Sequence, residues 1–205
     1  MIHFQYGSFA FFVFVDWINE KTLTDSKMMT LMECTDLRAM RMPSKLSKMI
    51  LAGEVPCLSV RNPWAWAIFN GKDVENRTWK PKINGEPYSG PVIIQSSASV
   101  SNSHHADVDW IFDNHRIEVP DELYFGCALG VVELTHCTSR SKSRWSAANQ
   151  FQWVMNRKIA FPEPIEMKGN RGLFFIEDSE ILSFISSEVE SAIELIRNLG
   201  TKSGE

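Results

Sequence analysis

The sequence contains no CxxC pair. Its four cysteines, Cys34, Cys57, Cys127 and Cys137, are scattered, and the nearest two lie ten residues apart. That spacing suits neither a zinc knuckle nor a disulfide framework, so reduced thiols in a cytoplasmic protein are expected. A membrane-length apolar run is missing as well. The strongest, "FAFFVFV" at 9–15, falls far short of the roughly 20 residues that span a bilayer. It also lacks the preceding basic residue and following small-residue cleavage site of a secretory signal, so no membrane partner is expected. Finally, there is no surplus of positive charge: 21 Lys and Arg face 25 Asp and Glu, a net charge of -4. Coating of a polyanion by the whole chain is thereby excluded, because phosphate binding needs clustered cations. A local basic patch remains open, since the acidic surplus sits mainly in residues 179–205, with five acidic and two basic side chains.

What is present suffices for one core. With 44% hydrophobic and 22% charged residues over 205 positions, the chain reads as one globular domain with appendages. Residues 1–55 form an N-terminal extension whose structure the pattern leaves open and which is expected to be dispensable for any pocket. Met28 and Met29 offer a later start, and a helix-turn-helix can be drawn through the Met-rich stretch that follows. Within it, Leu46, Met49 and Ile50 recur at helical spacing after Pro43 and Ser44, and Gly53 can stop that helix. At the other end, residues 179–205 place Ile181, Ile185, Val189, Ala192, Ile196 and Leu199 on one stripe, an amphipathic helix by period.

Between these lies a domain at 56–178 built from short elements. Strands are expected at 57–60, 73–79, 91–97, 126–137 and 172–177, and a helix at 104–116. "FQWVMNRKIAF" at 151–161 fits strand or helix. Another helix is expected at 63–70, with Asn62 as N-cap, Pro63 at the first position and Gly71 as the stop. Gly130, inside the longest strand, is a candidate bulge.

The stretch "NGKDVENRTW" at 70–79 carries the densest chemistry. On a strand from Asp73 to Trp79, Glu75, Arg77 and Trp79 share one face because side chains repeat every second residue. A carboxylate acceptor, a forked donor and a stacking ring suit the edge and face of a nucleobase. The alternative is a solvated strand edge with a weak charge pair, Lys72 favouring the preceding helix terminus. "TSRSKSRW" at 138–145 interleaves Arg140, Lys142 and Arg144 with small residues before Trp145, a pattern that can track phosphates. His104, His105, Asp107 and Asp109 have no matching ligand pair, so no metal is assigned, and no cofactor is implied.

Four segments in order, "CLSVRNPWAWAIFNGKDVENRTW", "GPVIIQSSAS", "GCALGVVELTHC" and "PIEMKGNRGLFFI", resemble those of the ASCH family, the activating signal cointegrator homology domain. The resemblance implies an α+β fold: a PUA-like β-barrel with a short capping helix, here followed by the C-terminal amphipathic helix. It places Lys72, Glu75 and Arg77 on the lysine, glutamate and arginine of the family's G-x-K-x-x-E-x-R motif. It also points to Lys168 and Arg171 in "KGNRG". Gly71 directly precedes Lys72, so one residue of that motif is missing here. Gln95, Ser96, Ser97 and Ala98 stand where many relatives have histidine, alanine, serine and lysine.

By this resemblance the expected ligand is RNA or a modified nucleoside, held by Lys72, Glu75, Arg77, Trp79, Lys168 and Arg171. A second class is an amidohydrolase acting on N4-acylated cytidine-type nucleosides, with Lys72 and Glu75 as the catalytic pair. Glu75 then replaces the threonine such enzymes use, and residues 139–153 offer amides and hydroxyls but no glutamate. A third class is an interaction module whose protein partner docks on the terminal helices.

Overall fold

Apolar alternation in the strands gives one sheet two apolar faces. The computed structural model describes residues 43–201, with side chains from 45 to 198. The expectations for the apolar run at 9–15 and for the Met-rich stretch before Pro43 lie outside the described residues. Along the chain come α1 (Pro43–Leu51), β1 (Cys57–Val60), α2 (Trp64–Phe69), β2 (Val74–Arg77), β3 (Lys82–Ile83) and β4 (Glu86–Pro87). Then follow β5 (Gly90–Ser96), α3 (His104–His115), β6 (Cys127–Thr138), β7 (Phe151–Glu166), β8 (Leu173–Phe174) and α4 (Ser179–Thr201). The ambiguous stretch at 151–161 is strand, the start of the 16-residue β7.

Six strands form one curled sheet in the order β2-β7-β6-β5-β1-β8, and β3 and β4 form a separate hairpin. β1 runs parallel to β5, and every other pairing within that sheet is antiparallel. The hairpin turns on Asn84 and Gly85, both at positive φ, the conformation a tight two-residue hairpin demands.

One sheet face carries Leu58, Val60, Val92, Ile94, Val132, Leu134, Trp153 and Met155, and α2 packs into it through Ala65 and Ile68. The opposite face carries Cys57, Ile93, Val131 and Phe161 and is covered by Ile50 of α1 and by Leu182, Ile185, Val189 and Ile193 of α4. The helices α1 and α4 also pack on each other. Leu182 and Ile193 widen the stripe read from the sequence.

The barrel expectation is met in part: among the described residues the sheet curls as a half-barrel that backbone pairing does not close, because β2 and β8 are its two edges. Only two residues long, β8 pairs with Cys57 and Leu58 and leaves the rest of β1 uncovered. Helix α2 begins at Trp64 with Pro63 in the cap position, one residue later than expected, yet Asn62 Oδ1 still accepts from the Trp66 N–H in the first turn at 3.4 Å. The Asn62–Pro63 peptide is cis. The Asn62 Nδ2 also donates to the Tyr124 carbonyl at 2.6 Å, tying the helix entry to the segment before β6.

Gly130 lies beside register shifts of β6 against β7. A Cβ there would sit 2.3 Å from the Ile159 carbonyl oxygen and 2.6 Å from the Phe69 ring. The close approach lets α2 settle on the sheet. Gly130→Ala should destabilise the protein by about 1 to 3 kcal/mol, the range for overpacked cores. An unchanged midpoint in urea unfolding would show that this approach is not tight.

Candidate functional site

Lys72, Glu75 and Arg77 come together as one ion cluster. Gly71, at a φ of +105°, ends the turn after α2 and delivers Lys72 to the edge of β2. On β2, Glu75 opposes Trp153 and Arg77 opposes Phe151, so the one acid and the one base of this strand rise on the face that holds α2. The Lys72 ammonium donates to Glu75 Oε2. Arg77 Nε lies 3.0 Å from Glu75 Oε1, but off the direction of its N–H, so this contact is an ion pair without a hydrogen bond. Burial decides the character of the cluster: Lys72 is 2% exposed and the Glu75 side chain 8%, while Arg77 keeps 24%. Lys72 is therefore enclosed by the fold and does not stand at the mouth of a cleft; Arg77 is the member that meets solvent.

Arg77 also completes the curl of the sheet. Its Nη2 donates to the Ser59 carbonyl at 2.9 Å, reaching from the edge strand β2 to the uncovered part of β1. The two lips of the sheet thus meet through a side chain, along a seam. Ser59 is held from its other side as well. A Cβ on Gly169 would lie 2.5 Å from both Ser59 Oγ and Gln95 Oε1, so the "KGNRG" loop rests its backbone on these two residues. Ser59 and Gln95 are register partners on β1 and β5. Neither Ser59 Oγ nor Gln95 Oε1 has a hydrogen-bond partner, although Gln95 is wholly buried. Lys168 and Arg171 flank Gly169 and are exposed, beside the β1 lip.

Trp79 sits past the end of β2, in a bend. It packs edge-on against Trp153 at a centroid distance of 4.7 Å, and its carbonyl accepts from Trp153 Nε1 at 3.1 Å. The strand period beyond Arg77 therefore does not apply to it. In the "TSRSKSRW" segment Arg140 and Lys142 are exposed, but its end is committed elsewhere. Trp145 is buried and stacks on His115 at 3.5 Å, and Arg144 donates to the Asn114 carbonyl at 2.5 Å, docking the loop on α3. Trp145 has no face free for a base. Among the described residues no group of His, Cys, Asp and Glu is placed to hold a metal ion, and no helix is long and apolar enough to cross a membrane.

The family profile of the ASCH domain matches residues 58–170, more than half of the chain. The chain belongs to the ASCH domain family. Among curated proteins, none matches its sequence. The matched span of the ASCH domain begins in β1 and ends in the "KGNRG" loop, so it contains both lips of the seam and the whole ion cluster.

Three contributors were not singled out as site residues from sequence. Ser59 is the sole hydroxyl in the strand "CLSV", and Gln95 is the first polar residue after "PVII"; each breaks an apolar run, which is the available signal. Lys158, whose Nζ donates to the Lys72 carbonyl at 2.5 Å, lies 86 residues away, and no local pattern announces it.

Burial lowers the Lys72 pKa, and the attraction and hydrogen bond of Glu75 offset part of that effect. The folded protein then releases this proton at lower pH than the unfolded chain, where lysine titrates near ~10.4. Stability from such a group is fully present above the unfolded value and is lost as pH falls through the folded one. Relative to a Lys72→Met variant, the wild type should gain stability as pH rises toward about 10. Parallel pH profiles of the two in urea unfolding would contradict the desolvation of Lys72. Glu75→Ala, which leaves the buried Lys72 and the partly exposed Arg77 without their carboxylate, should cost about 3 to 5 kcal/mol in the same assay.

Proposed function

We infer that this ASCH domain recognises RNA or a modified nucleoside by drawing the polar edge of a base into the seam between β2 and β1. What carries this reading is a guanidinium that its own cluster leaves open to solvent. Lys72 and Arg77 share the carboxylate of Glu75, Asp73 adds a weaker attraction for Lys72, and Arg77, the member that meets solvent, keeps room for an electron-rich partner. Arg77 supplies the approach: its side chain is partly exposed and its Nη2 is held on the Ser59 carbonyl, while Nε is buried beside Glu75. A guanidinium can also meet the carbonyl and ring-nitrogen acceptors at a base edge. The exposed Lys168 and Arg171 add positive potential beside the same lip, and the family's PUA-like character points the same way.

One observation favours hydrolysis of N4-acylated cytidine as the second reading. Burial lowers the Lys72 pKa, and a desolvated amine is the kind of group that can act as base or nucleophile. Against it, the Lys72 ammonium is engaged by Glu75 and enclosed, and Glu75 occupies the place of the hydroxyl such enzymes use. Recognition without turnover is the better fit.

The test is titration of free modified nucleosides and short RNAs, followed by both binding and product formation. Arg77→Ala should weaken affinity by roughly 1.5 to 3 kcal/mol, the worth of a charge-assisted hydrogen bond, with the fold checked by thermal unfolding. Equal affinity of wild type and a folded Arg77→Ala variant for every probe would overturn the seam as the binding site. Turnover of N4-acetylcytidine that is abolished in Lys72→Ala with binding retained would promote the hydrolase.

A further inference from the structure

A second polar surface lies two strands away from the seam. A groove of about 370 Å³ runs between the β3–β4 hairpin and the end of β6, walled by Lys80, Lys82, Tyr88, Thr135, His136 and Cys137 among others. None of the described residues that line it is acidic. The groove is tied to the seam through β7: Lys80 Nζ stands 5.2 Å from the ring centroid of Phe151, and Phe151 is the register partner of Arg77. On the far side, Cys137 opposes Trp153, which in turn opposes Glu75. Two strand spacings, about 10 Å, therefore separate the β2 residues of the cluster from the β6 wall of the groove.

The lining combines groups that suit a nucleic-acid backbone. Lys80 and Lys82 are exposed and rotatable donors, and Thr135 brings a hydroxyl beside His136, its Oγ1 3.1 Å from His136 Nδ1. The Tyr88 hydroxyl donates to the Pro91 carbonyl at 2.6 Å, and burial pushes its pKa up to about 12, so its proton stays on that bond. Its ring is left as a wall of the groove. With a net charge of -4, attraction for phosphate on this chain must be local, and an acid-free groove with two lysines supplies it. Cations that track a backbone beside aromatic surface are the recurring means of holding single strands.

We propose that this groove holds the sugar-phosphate backbone of a single-stranded RNA whose base enters the seam, which makes the ligand an oligonucleotide and not a free nucleoside. This rests on the nucleobase reading of the seam, and the experiment separates the two. A fluorescent, mixed-sequence single-stranded RNA of about 12 nucleotides, within the site sizes of barrel-type binders, is titrated at several salt concentrations. The proteins are wild type, the Lys80→Gln/Lys82→Gln double variant and Arg77→Ala, each checked for folding.

For wild type, affinity should fall with salt, and the double variant should lose about 1.4 from the slope of log affinity against log salt, ~0.7 for each phosphate contact. If the double variant loses RNA affinity while Arg77→Ala keeps it, the groove stands and the seam reading fails. If Arg77→Ala weakens binding and the double variant matches wild type in affinity and slope, the seam stands and the groove proposal is overturned. Absence of RNA binding by the wild type, or free nucleosides binding as tightly as the RNA, would also overturn it.

Discussion

The reach of Arg77 across the open side of the sheet is the interaction on which the site depends. A six-stranded sheet with two exposed lips would ordinarily be closed by another strand or left as a pairing hazard. Here a guanidinium takes the Ser59 carbonyl on β1 while its other side faces Glu75. Glu75 in turn receives Lys72, so the closure of the sheet and the burial of the charges are one arrangement. Change in any of the three alters the other two, and additive effects among them are not expected.

That arrangement is held by packing laid down elsewhere. The α2 helix settles over the sheet because Gly130 leaves room for Phe69, and the turn after it delivers Lys72 to the edge of β2. Trp153, fully buried, stands opposite Glu75 and under Trp79, giving the ions an apolar floor. That floor strengthens electrostatics within the cluster and raises the cost of any unpaired charge. On the opposite face, α1 and α4 cover the sheet through Ile50, Ile185 and Val189, leaving the seam end unburdened by terminal segments among the described residues.

Much of this was legible in the sequence, for identifiable reasons. Strand positions followed from β-branched runs bounded by Gly and Pro, and the ordered ASCH motifs gave the family and the cluster of Lys72, Glu75 and Arg77. The two-residue period correctly put Glu75 and Arg77 on one face. It failed at Trp79 because the strand stops at Arg77, and local periodicity carries no information about where pairing with β7 ends. The enclosure of Lys72 was likewise invisible, since it arises from burial that no short pattern encodes. Ser59, Gln95 and Gly169 meet only through the register of β1 against β5 and a loop more than 70 residues further on. In "TSRSKSRW" Arg140 and Lys142 are exposed as the pattern suggested, whereas the stacking of Trp145 on His115 turns the end of that segment into the support of α3.

The central claim is that a base edge enters the seam beside Arg77. Its most direct test is to follow the Arg77 guanidinium Nη–H resonances by NMR during titration with a short single-stranded RNA, with the Lys80 and Lys82 ammonium signals as reporters of the groove. The account predicts a saturable shift of these Nη–H signals as the guanidinium gains an acceptor. Saturable binding that leaves the Arg77 guanidinium unmoved, with shifts confined to other surfaces, would contradict it.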